Sequence, residues 1–350
     1  MPVAVKSISK GRVEFGGSLT SEEIDSLISD PHLEILQTSS PVDTETWKAL
    51  NDRLFSLRHD VDLRVYGFYS SECDLSFLKR LPNLRRFSAD CLMRAKGIDC
   101  LGALENLESL SVGIYNLETF DFLNSLPNRK LKELILGPTK SRKPTLRDVM
   151  RFNDLRKLHI DGQQKDIEVI STLQYIEDLT LRSVSVDGLN FLKGLHHLWS
   201  LDIKLGGTSD LSALEGMNRI KYLELWQIRN LKDVSVIATM RGLQYLFLQS
   251  LPHIHAVPDL SKLRELRKVH LENLKGLQDL SALAKAPVLE EFIHVSAAGM
   301  EPAQYTGVLT SKTLKRILVG FGSERKNKAL RELATQAGIE QLERSQFSFT

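Results

Sequence analysis

A short motif of apolar residues repeats through most of this chain. Between residues 81 and 320, an apolar residue, two variable residues and then apolar-x-apolar recur roughly every 22 to 25 residues. The copies start at Leu84, Leu107, Leu131, Leu155, Ile176, Leu198, Ile220, Leu243, Leu266, Leu289 and Leu314. A fixed period in this range predicts a solenoid of stacked repeats, because each repeat buries its apolar face only against its neighbours.

Each copy also indicates the local structure of its repeat. In Leu243-Gln-Tyr-Leu246-Phe-Leu248, the final alternation of apolar and variable residues predicts a short strand with two leucines inward. Several strands are preceded by Asp, an apolar residue and Ser, which we interpret as a helix N-cap that opens one short α or 3₁₀ turn. These phrases start at Asp74, Asp210, Asp233 and Asp279. A period this short leaves no room for a long helix.

These two phrases together resemble the short-repeat class of leucine-rich repeat proteins, which includes listerial internalins and a regulatory subunit of protein phosphatase 1. The resemblance covers roughly residues 62–320. It implies an α/β fold, namely a right-handed solenoid with a parallel sheet on its concave side and short helical turns on its convex side. It also implies a binding protein rather than an enzyme.

The chain departs from this class at one position of the repeat. The class places Asn three residues after the last strand leucine, where its amide bonds the backbone of the turn. The corresponding residues here include Gly206, Ile228, Leu251 and Leu274. Since Leu231, Ile254 and Leu277 follow three residues further on, we expect hydrocarbon to fill this edge of the repeat instead.

The ends of the chain break the period and predict caps, which a solenoid needs because a terminal repeat would otherwise expose its core. We divide the chain into an N-terminal α/β cap at 1–61, a repeat array at 62–320 and a C-terminal cap at 321–350. The caps are predicted to contain strands at 12–15 and 33–36 and helices at 21–28, 44–57 and 323–337.

Composition narrows the classes of function. The net charge of +2 favours neither a nucleic-acid nor a membrane-surface partner. No apolar stretch approaches the roughly 18 residues of a membrane span, and the N-terminus lacks the apolar run of a secretory signal. Cys73, Cys91 and Cys100 show neither metal-ligand spacing nor a paired framework. These observations predict a cytoplasmic protein with reduced thiols.

Aromatic side chains collect at outward positions of two neighbouring predicted strands. Parallel strands lie about 5 Å apart, so outward residues of successive repeats form rows across the sheet. The aromatic residues are Tyr222, Trp226, Tyr245 and Phe247, with Trp199 beside them. Aromatic side chains within a polar rim are typical of a protein-binding hot spot. We predict a site centred on these four and Glu224, with a rim formed by Arg182, Lys204, His270 and Glu272.

Other interpretations of the same surface stay open. The aromatic residues can pack on one another across strands, or form a homo-oligomer, although a monomer is expected. Asp202, Glu224 and His270 can form a small-ligand or enzymatic site, or a solvated charge cluster offset by Lys204 and Arg182. Since the chain contains neither a glycine-rich phosphate loop nor a nucleophile elbow, we expect no enzyme, no metal and no cofactor. One irregularity is His294, which replaces a core leucine and predicts a bulge near residue 293.

Overall fold

The fold is available from a computed structural model of the chain. The structure describes residues 5–68, 71–127, 130–141, 143–343 and 346–350. The chain forms two compact units, Met1–Tyr175 and Ile176–Thr350. Each unit alternates short strands with short helical turns, as the repeat period predicts.

The first unit contains a mostly parallel sheet. Its strands are β1 (Val5–Ser9), β2 (Arg12–Phe15), β3 (Ile35–Thr38), β4 (Asp62–Tyr66), β5 (Cys73–Asp74), β6 (Arg86–Leu92), β7 (Ala95–Lys96), β8 (Ser109–Ile114), β9 (Glu133–Leu136) and β10 (Lys157–Asp161). They pair in the order β1-β2-β3-β4-β6-β8-β9-β10, and β5 pairs separately with β7. β1 and β2 are antiparallel and the later pairs are parallel. Helices α1 (Ser21–Ser29) and α2 (Thr44–Ala49) precede β4.

The second unit contains a parallel sheet whose strands pair in chain order. Its strands are β11 (Asp178–Arg182), β12 (Ser200–Lys204), β13 (Tyr222–Trp226), β14 (Tyr245–Gln249), β15 (Lys268–Glu272), β16 (Glu291–Val295), β17 (Arg316–Val319) and β18 (Glu340–Gln341). Helix α3 (Thr306–Leu309) precedes β17, and α4 (Glu324–Gln336) lies between β17 and β18.

Short 3₁₀ turns connect the strands. They span Leu75–Arg80, Ile98–Ala103, Asp121–Asn124, Arg147–Arg151 and Ile167–Thr172 in the first unit, and Asn190–Leu192, Ser212–Leu214, Ser235–Thr239, Ser281–Lys285 and Pro302–Tyr305 in the second. The predicted N-cap contact is present, since Asp233 Oδ1 accepts the Ser235 N–H at 2.7 Å. This bond is the largest cause of the lowered pKa of Asp233. The cap position itself falls one residue later, at Val234, so Asp233 acts through a turn just before the helix.

The inward side chains of the strands form the core. Leu223 on β13, Leu246 on β14 and Val269 on β15 are fully buried at directly paired positions. Burying one such side chain contributes about 1.5–3 kcal/mol relative to leaving it in water. A slip of one residue would turn every one of these side chains outward, so the apolar pattern sets the register.

The secondary structure near the chain ends follows most of the predictions. Helix α1 confirms the helix predicted at 21–28, and α4 confirms the one at 323–337. The strand predicted at 33–36 is β3, displaced by two residues. The helix predicted at 44–57 forms as α2 followed directly by a π-helical segment, Leu50–Phe55. Strand β1 was missed because its side chains are mostly exposed on both faces and carry no apolar alternation.

At the edge that lacks the Asn residues, hydrogen bonds between backbone groups take the place of the Asn side-chain contacts. The residue after each strand from β11 to β16 adopts a left-handed conformation, with φ between 51° and 57°. After each strand from β11 to β15, the N–H of this residue donates to the last carbonyl of the next strand, as Leu205 N does to Trp226 O at 2.8 Å and Gln227 N to Gln249 O at 2.9 Å. The predicted hydrocarbon filling is confirmed by the burial of Leu231, Ile254 and Leu277.

The bulge predicted near residue 293 is wrong. His294 pairs in regular register between Leu271 and Val319 and is buried like the leucine it replaces. The Tyr305 hydroxyl lies 2.8 Å from its Nδ1, so the ring has a polar partner inside the core. Burial lowers the pKa of His294 to about 4, which keeps the imidazole neutral at pH 7.

Candidate functional site

The predicted aromatic residues meet on the outward face of the second unit's sheet. Strands β13 and β14 pair so that Tyr222 lies beside Tyr245 and Glu224 beside Phe247. The Tyr222 and Tyr245 rings meet edge to face, with centroids 5.1 Å apart. Trp226 is the last residue of β13 and is partly exposed. The register therefore places the predicted centre of the site on two adjacent strands.

A buried charge cluster lies next to these rings. Lys204 Nζ lies 3.3 Å from Asp202 Oδ2 and 3.1 Å from Glu224 Oε2, so one ammonium group pairs with both carboxylates. The Tyr222 hydroxyl donates to Glu224 Oε2 at 2.8 Å. Burial raises the pKa of Asp202 above its ordinary range, and Lys204 only partly offsets this effect. The two carboxylates are thus held by fixed partners within the sheet.

The rim residue His270 is held by stacking rather than by charge. Its ring lies flat on Phe247, with centroids 4.2 Å apart and an interplanar angle of 7°. Burial, and secondarily the charge of Lys268, lowers the pKa of His270 to about 4. The imidazole is therefore neutral near pH 7, and Glu272 instead accepts a hydrogen bond from Gln249 Nε2 at 2.9 Å.

Lys268 was not among the predicted site residues, and it is almost fully buried on the outward face. Its Nζ lies 3.1 Å from Glu291 Oε2 and 5.0 Å from the centre of the Tyr245 ring. A cation over an aromatic face is attracted by the negative face of the ring. The signal was present in the sequence, because Lys268 occupies the same row as Tyr245 and Glu291.

Residues 346–350 cover part of the aromatic cluster. The Phe349 ring lies 5.2 Å from Trp199 and 6.1 Å from Tyr222. The Phe347 ring lies 5.3 Å from Tyr245. The cluster is therefore covered on the side where the strands begin.

The other side of the cluster remains accessible. Among the described residues, the ring contacts of 346–350 reach neither Trp226 nor Phe247. Arg182 is exposed on β11, and Lys204 is partly exposed on the neighbouring β12. All nine predicted site residues thus belong to the outward face of one sheet, although they do not share one environment.

The outward face of the first unit has a different character. Arg64 donates to Asp90 through Nε and Nη2, at distances of 2.6 to 3.0 Å. Glu133 accepts from Arg86 at 3.0 Å and from Ser109 at 2.9 Å. These charges pair across the sheet, between β4 and β6 and between β6 and β9.

Across the described ranges, no group of three or more His, Cys, Asp or Glu residues could hold a metal ion. No helix in those same ranges has both the length and the apolar character needed to cross a bilayer.

The fold is similar to solved leucine-rich repeat structures. No protein-family model matches the chain, and no curated protein sequence matches it. An internalin (inlF) from Listeria monocytogenes is 17% identical, over 96% of this chain and 88% of that one, with a TM-score of 0.56. A leucine-rich repeat protein of Leptospira interrogans is 16% identical over 93% and 92%, with a TM-score of 0.48. Internalin C2 of Listeria monocytogenes is 22% identical over 63% and 83%, with a TM-score of 0.41.

The class of protein follows from the repeat and the fold together. Successive parallel strands with 3₁₀ turns form each unit, and the likeness to the inlF internalin extends over nearly the whole chain. The chain is therefore a leucine-rich repeat protein with an internalin type of fold, and the predicted α/β solenoid is confirmed.

Proposed function

We propose that this protein is a non-enzymatic scaffold that binds a protein partner on the outward face of the second unit's sheet. The observation that carries the proposal is the pair Trp226 and Phe247, which lie partly exposed at outward positions of adjacent strands. Outward positions gain nothing from the core, and large aromatic side chains in that setting are typical of binding hot spots.

The site is also held in place before any partner arrives. Phe247 is fixed by the His270 stack, and Glu224 by Tyr222 and Lys204. Binding to side chains that are already ordered avoids much of the entropy lost when flexible groups are immobilised. Arg182, Lys204 and Glu272 supply mixed charge at the rim, which favours a partner surface with both signs of charge.

The contacts of Lys204 support a binding role over an enzymatic one. In a catalytic pair of carboxylates, one carboxylate must be free to exchange a proton with a substrate. Asp202 and Glu224 instead share the ammonium group of the partly buried Lys204, and Thr180 Oγ1 donates to Asp202 Oδ2 at 3.3 Å. We also propose a reducing compartment, the cytoplasm, since Cys73 and Cys100 are buried free thiols.

The proposal is tested with the double variant Trp226→Ala/Phe247→Ala. Immobilised wild type and variant are incubated with lysate of the native cell, and recovered proteins are identified by mass spectrometry. We expect one partner to be recovered by wild type and lost by the variant, and its affinity, measured by calorimetry with purified components, to fall at least tenfold. A tenfold loss corresponds to about 1.4 kcal/mol, well within what hot-spot aromatics contribute.

A matched control keeps this experiment interpretable. Tyr115→Ala/Met150→Ala removes two exposed apolar side chains of the first unit, at 44% and 46% exposure, outside the proposed site. It is expected to retain the partner. Circular dichroism checks that both variants fold, and light scattering checks that wild type is a monomer. Equal recovery by wild type and the Trp226/Phe247 variant would contradict the proposal, and a dimer lost in that variant would support self-association instead.

A further inference from the structure

The described end of the chain, 346–350, lies across the beginnings of β12, β13 and β14. Phe347 sits by Tyr245 and Phe349 by Trp199 and Tyr222, at the ring distances given above. The Phe347 and Phe349 rings also meet each other edge to face, with centroids 4.9 Å apart. Two aromatic side chains separated by one residue therefore pack against aromatic residues at the starts of three successive strands.

The polar contacts of this segment go to its backbone. The Gln244 side chain, which is 1% exposed, donates from Nε2 to the Thr350 carbonyl at 3.0 Å. Gln244 Oε1 accepts the Thr350 N–H at 3.0 Å. Arg267 Nη2 donates to the Ser348 carbonyl at 2.7 Å, and Lys221 Nζ to the Thr350 carbonyl at 2.5 Å. Backbone contacts of this kind can be made with any extended peptide, whatever its sequence.

The aromatic side chains supply the selectivity that the backbone contacts lack. The Arg267 guanidinium lies 4.8 Å from the centre of the Phe347 ring, and Lys268 Nζ lies 5.9 Å from it. Cations near a ring face favour an aromatic side chain over an aliphatic one. Trp199 offers a second aromatic wall, for Phe349. The surface thus matches an extended chain with aromatic residues at positions i and i+2.

The segment is laid on the surface rather than built into the core. Phe349 remains 36% exposed although it contacts three rings, whereas Leu330 of helix α4 is 3% exposed. Ser348 and Thr350 are exposed as well. A short surface segment with few buried side chains opens at low free energy compared with core elements.

We propose that the strand-start row, formed by Trp199, Lys221, Gln244 and Arg267, binds an extended segment of a partner protein with aromatic side chains at i and i+2. Residues 346–350 occupy this row in cis and must leave before the partner segment binds. Lys221 and Gln244 precede β13 and β14, the strands that carry Trp226 and Phe247, so this proposal rests on the proposed function and names the chemistry of its partner. Tethering makes the cis segment a strong competitor, because its effective concentration is high.

The test uses the chain's own segment as the probe. A fluorescein-labelled peptide, Gln-Phe-Ser-Phe-Thr, is titrated with wild type and with a variant that lacks residues 346–350, and its fluorescence polarisation is measured. We expect the shortened variant to bind the peptide at least tenfold more tightly than wild type does. A peptide with both Phe replaced by Ala should not bind, and Trp199→Ala in the shortened variant should weaken binding at least fivefold.

A second variant guards against a folding defect in the first. The Phe347→Ala/Phe349→Ala variant of the 350-residue chain keeps the chain length and should bind the peptide as the shortened variant does. The proposal is overturned if neither variant binds the peptide, if the alanine peptide binds equally well, or if both variants unfold, since the segment would then belong to the fold. Light scattering that showed a wild-type dimer, lost on shortening, would assign the segment to a second copy and overturn the cis arrangement.

The two proposals can fail separately. Loss of peptide binding, together with a partner that still depends on Trp226 and Phe247, would reject the strand-start row and leave the proposed function intact. Peptide binding that needs Trp199, together with full recovery of partners by the Trp226/Phe247 variant, would move the binding site to the strand-start row and reject the proposed centre.

Discussion

At the scale of single residues, the position after each strand shows how this chain closes its repeats without the usual Asn. Leu205, Gln227 and Ser250 all adopt left-handed backbone, which costs a residue with a Cβ atom about 1–2 kcal/mol. Each of their N–H groups gains a hydrogen bond to the next strand in return. The repeat therefore accepts local strain to satisfy a backbone donor that would otherwise lack a partner.

Substitution at Gln227 tests this balance. Its φ is 51° and its side chain is exposed, so few contacts change with the side chain. Gln227→Gly should leave the free energy of unfolding equal to wild type or raise it by up to about 1 kcal/mol, because glycine adopts this conformation freely. Gln227→Val should lower it by about 1–2 kcal/mol, since a β-branched side chain crowds the backbone there. Urea denaturation measures both, and a Val variant as stable as wild type would contradict the assignment.

Buried histidine makes the stability depend on pH. The pKa of His294 is lowered to about 4 by burial, from an ordinary value of 6.5. The unfolded chain thus binds the proton more tightly, so stability is lost as the pH falls from 6.5 toward 4, by up to about 3 kcal/mol for this residue. We expect His294→Leu to reduce that loss in urea denaturation at several pH values.

Asp202 changes the pH dependence of stability in the opposite direction to His294. Its folded pKa is raised to about 6, mainly by burial, so the folded state binds the proton more tightly and stability grows as the pH falls toward 4. Asp202→Asn should therefore steepen the loss of stability over the range in which His294→Leu reduces it. Equal slopes in wild type and both variants would refute these two assignments.

At the scale of elements, successive turns approach each other closely. A Cβ added at Gly242, just before β14, would lie 1.9 Å from the Asn218 carbonyl oxygen of the previous turn. The Asn218 side chain also accepts the Arg241 N–H at 2.8 Å, which holds the two turns together. The spacing of the repeats is therefore set in the turns as well as in the sheet.

The closeness of these turns predicts different effects at two glycines. Gly242→Ala should lower the free energy of unfolding by about 1–3 kcal/mol, because the obstructing atom is backbone and must move. Gly299→Ala is the control, since nothing lies within 4 Å of its added Cβ, and it should change stability by no more than about 0.5 kcal/mol. Thermal denaturation of the two variants measures this difference. Similar melting temperatures for Gly242→Ala and Gly299→Ala would contradict the close approach of Gly242 to the Asn218 carbonyl.

At the scale of the molecule, stability is distributed along the array. The strands of the second unit pair in chain order from β11 to β18, so each repeat draws its stability from its neighbours. This regularity also explains how the proposed binding surface can form without a cleft, because register alone brings side chains from different repeats together.

A core substitution should therefore act locally first. Leu246→Ala removes a fully buried side chain and should cost about 2–5 kcal/mol. In hydrogen exchange followed by mass spectrometry, we expect protection to fall most in β13, β14 and β15, less in β11, and least in β2 to β4 of the first unit. A uniform loss of protection along the whole chain would show that it unfolds as one cooperative unit.

Much of this fold could be predicted from the sequence because the same motif occurs in successive repeats. The strands, their register and their inward leucines all follow from one period, so an error in one copy is corrected by the others. The pattern failed where only one copy carried the signal. His294 suggested a bulge because a polar residue in a core position is rare, and its partner Tyr305 lies outside the repeat phrase.

The candidate site likewise has one part that the sequence predicts and one part that it does not. Its sheet positions, from Tyr222 to Glu272, were predicted from the sequence because strand alternation and the repeat period determine which side chains face outward together. The covering of Tyr222 and Tyr245 was decided by tertiary structure alone. The segment that covers them binds Gln244 from 106 residues away, and contacts at such separation depend on where the chain end lies in space, which no local period encodes.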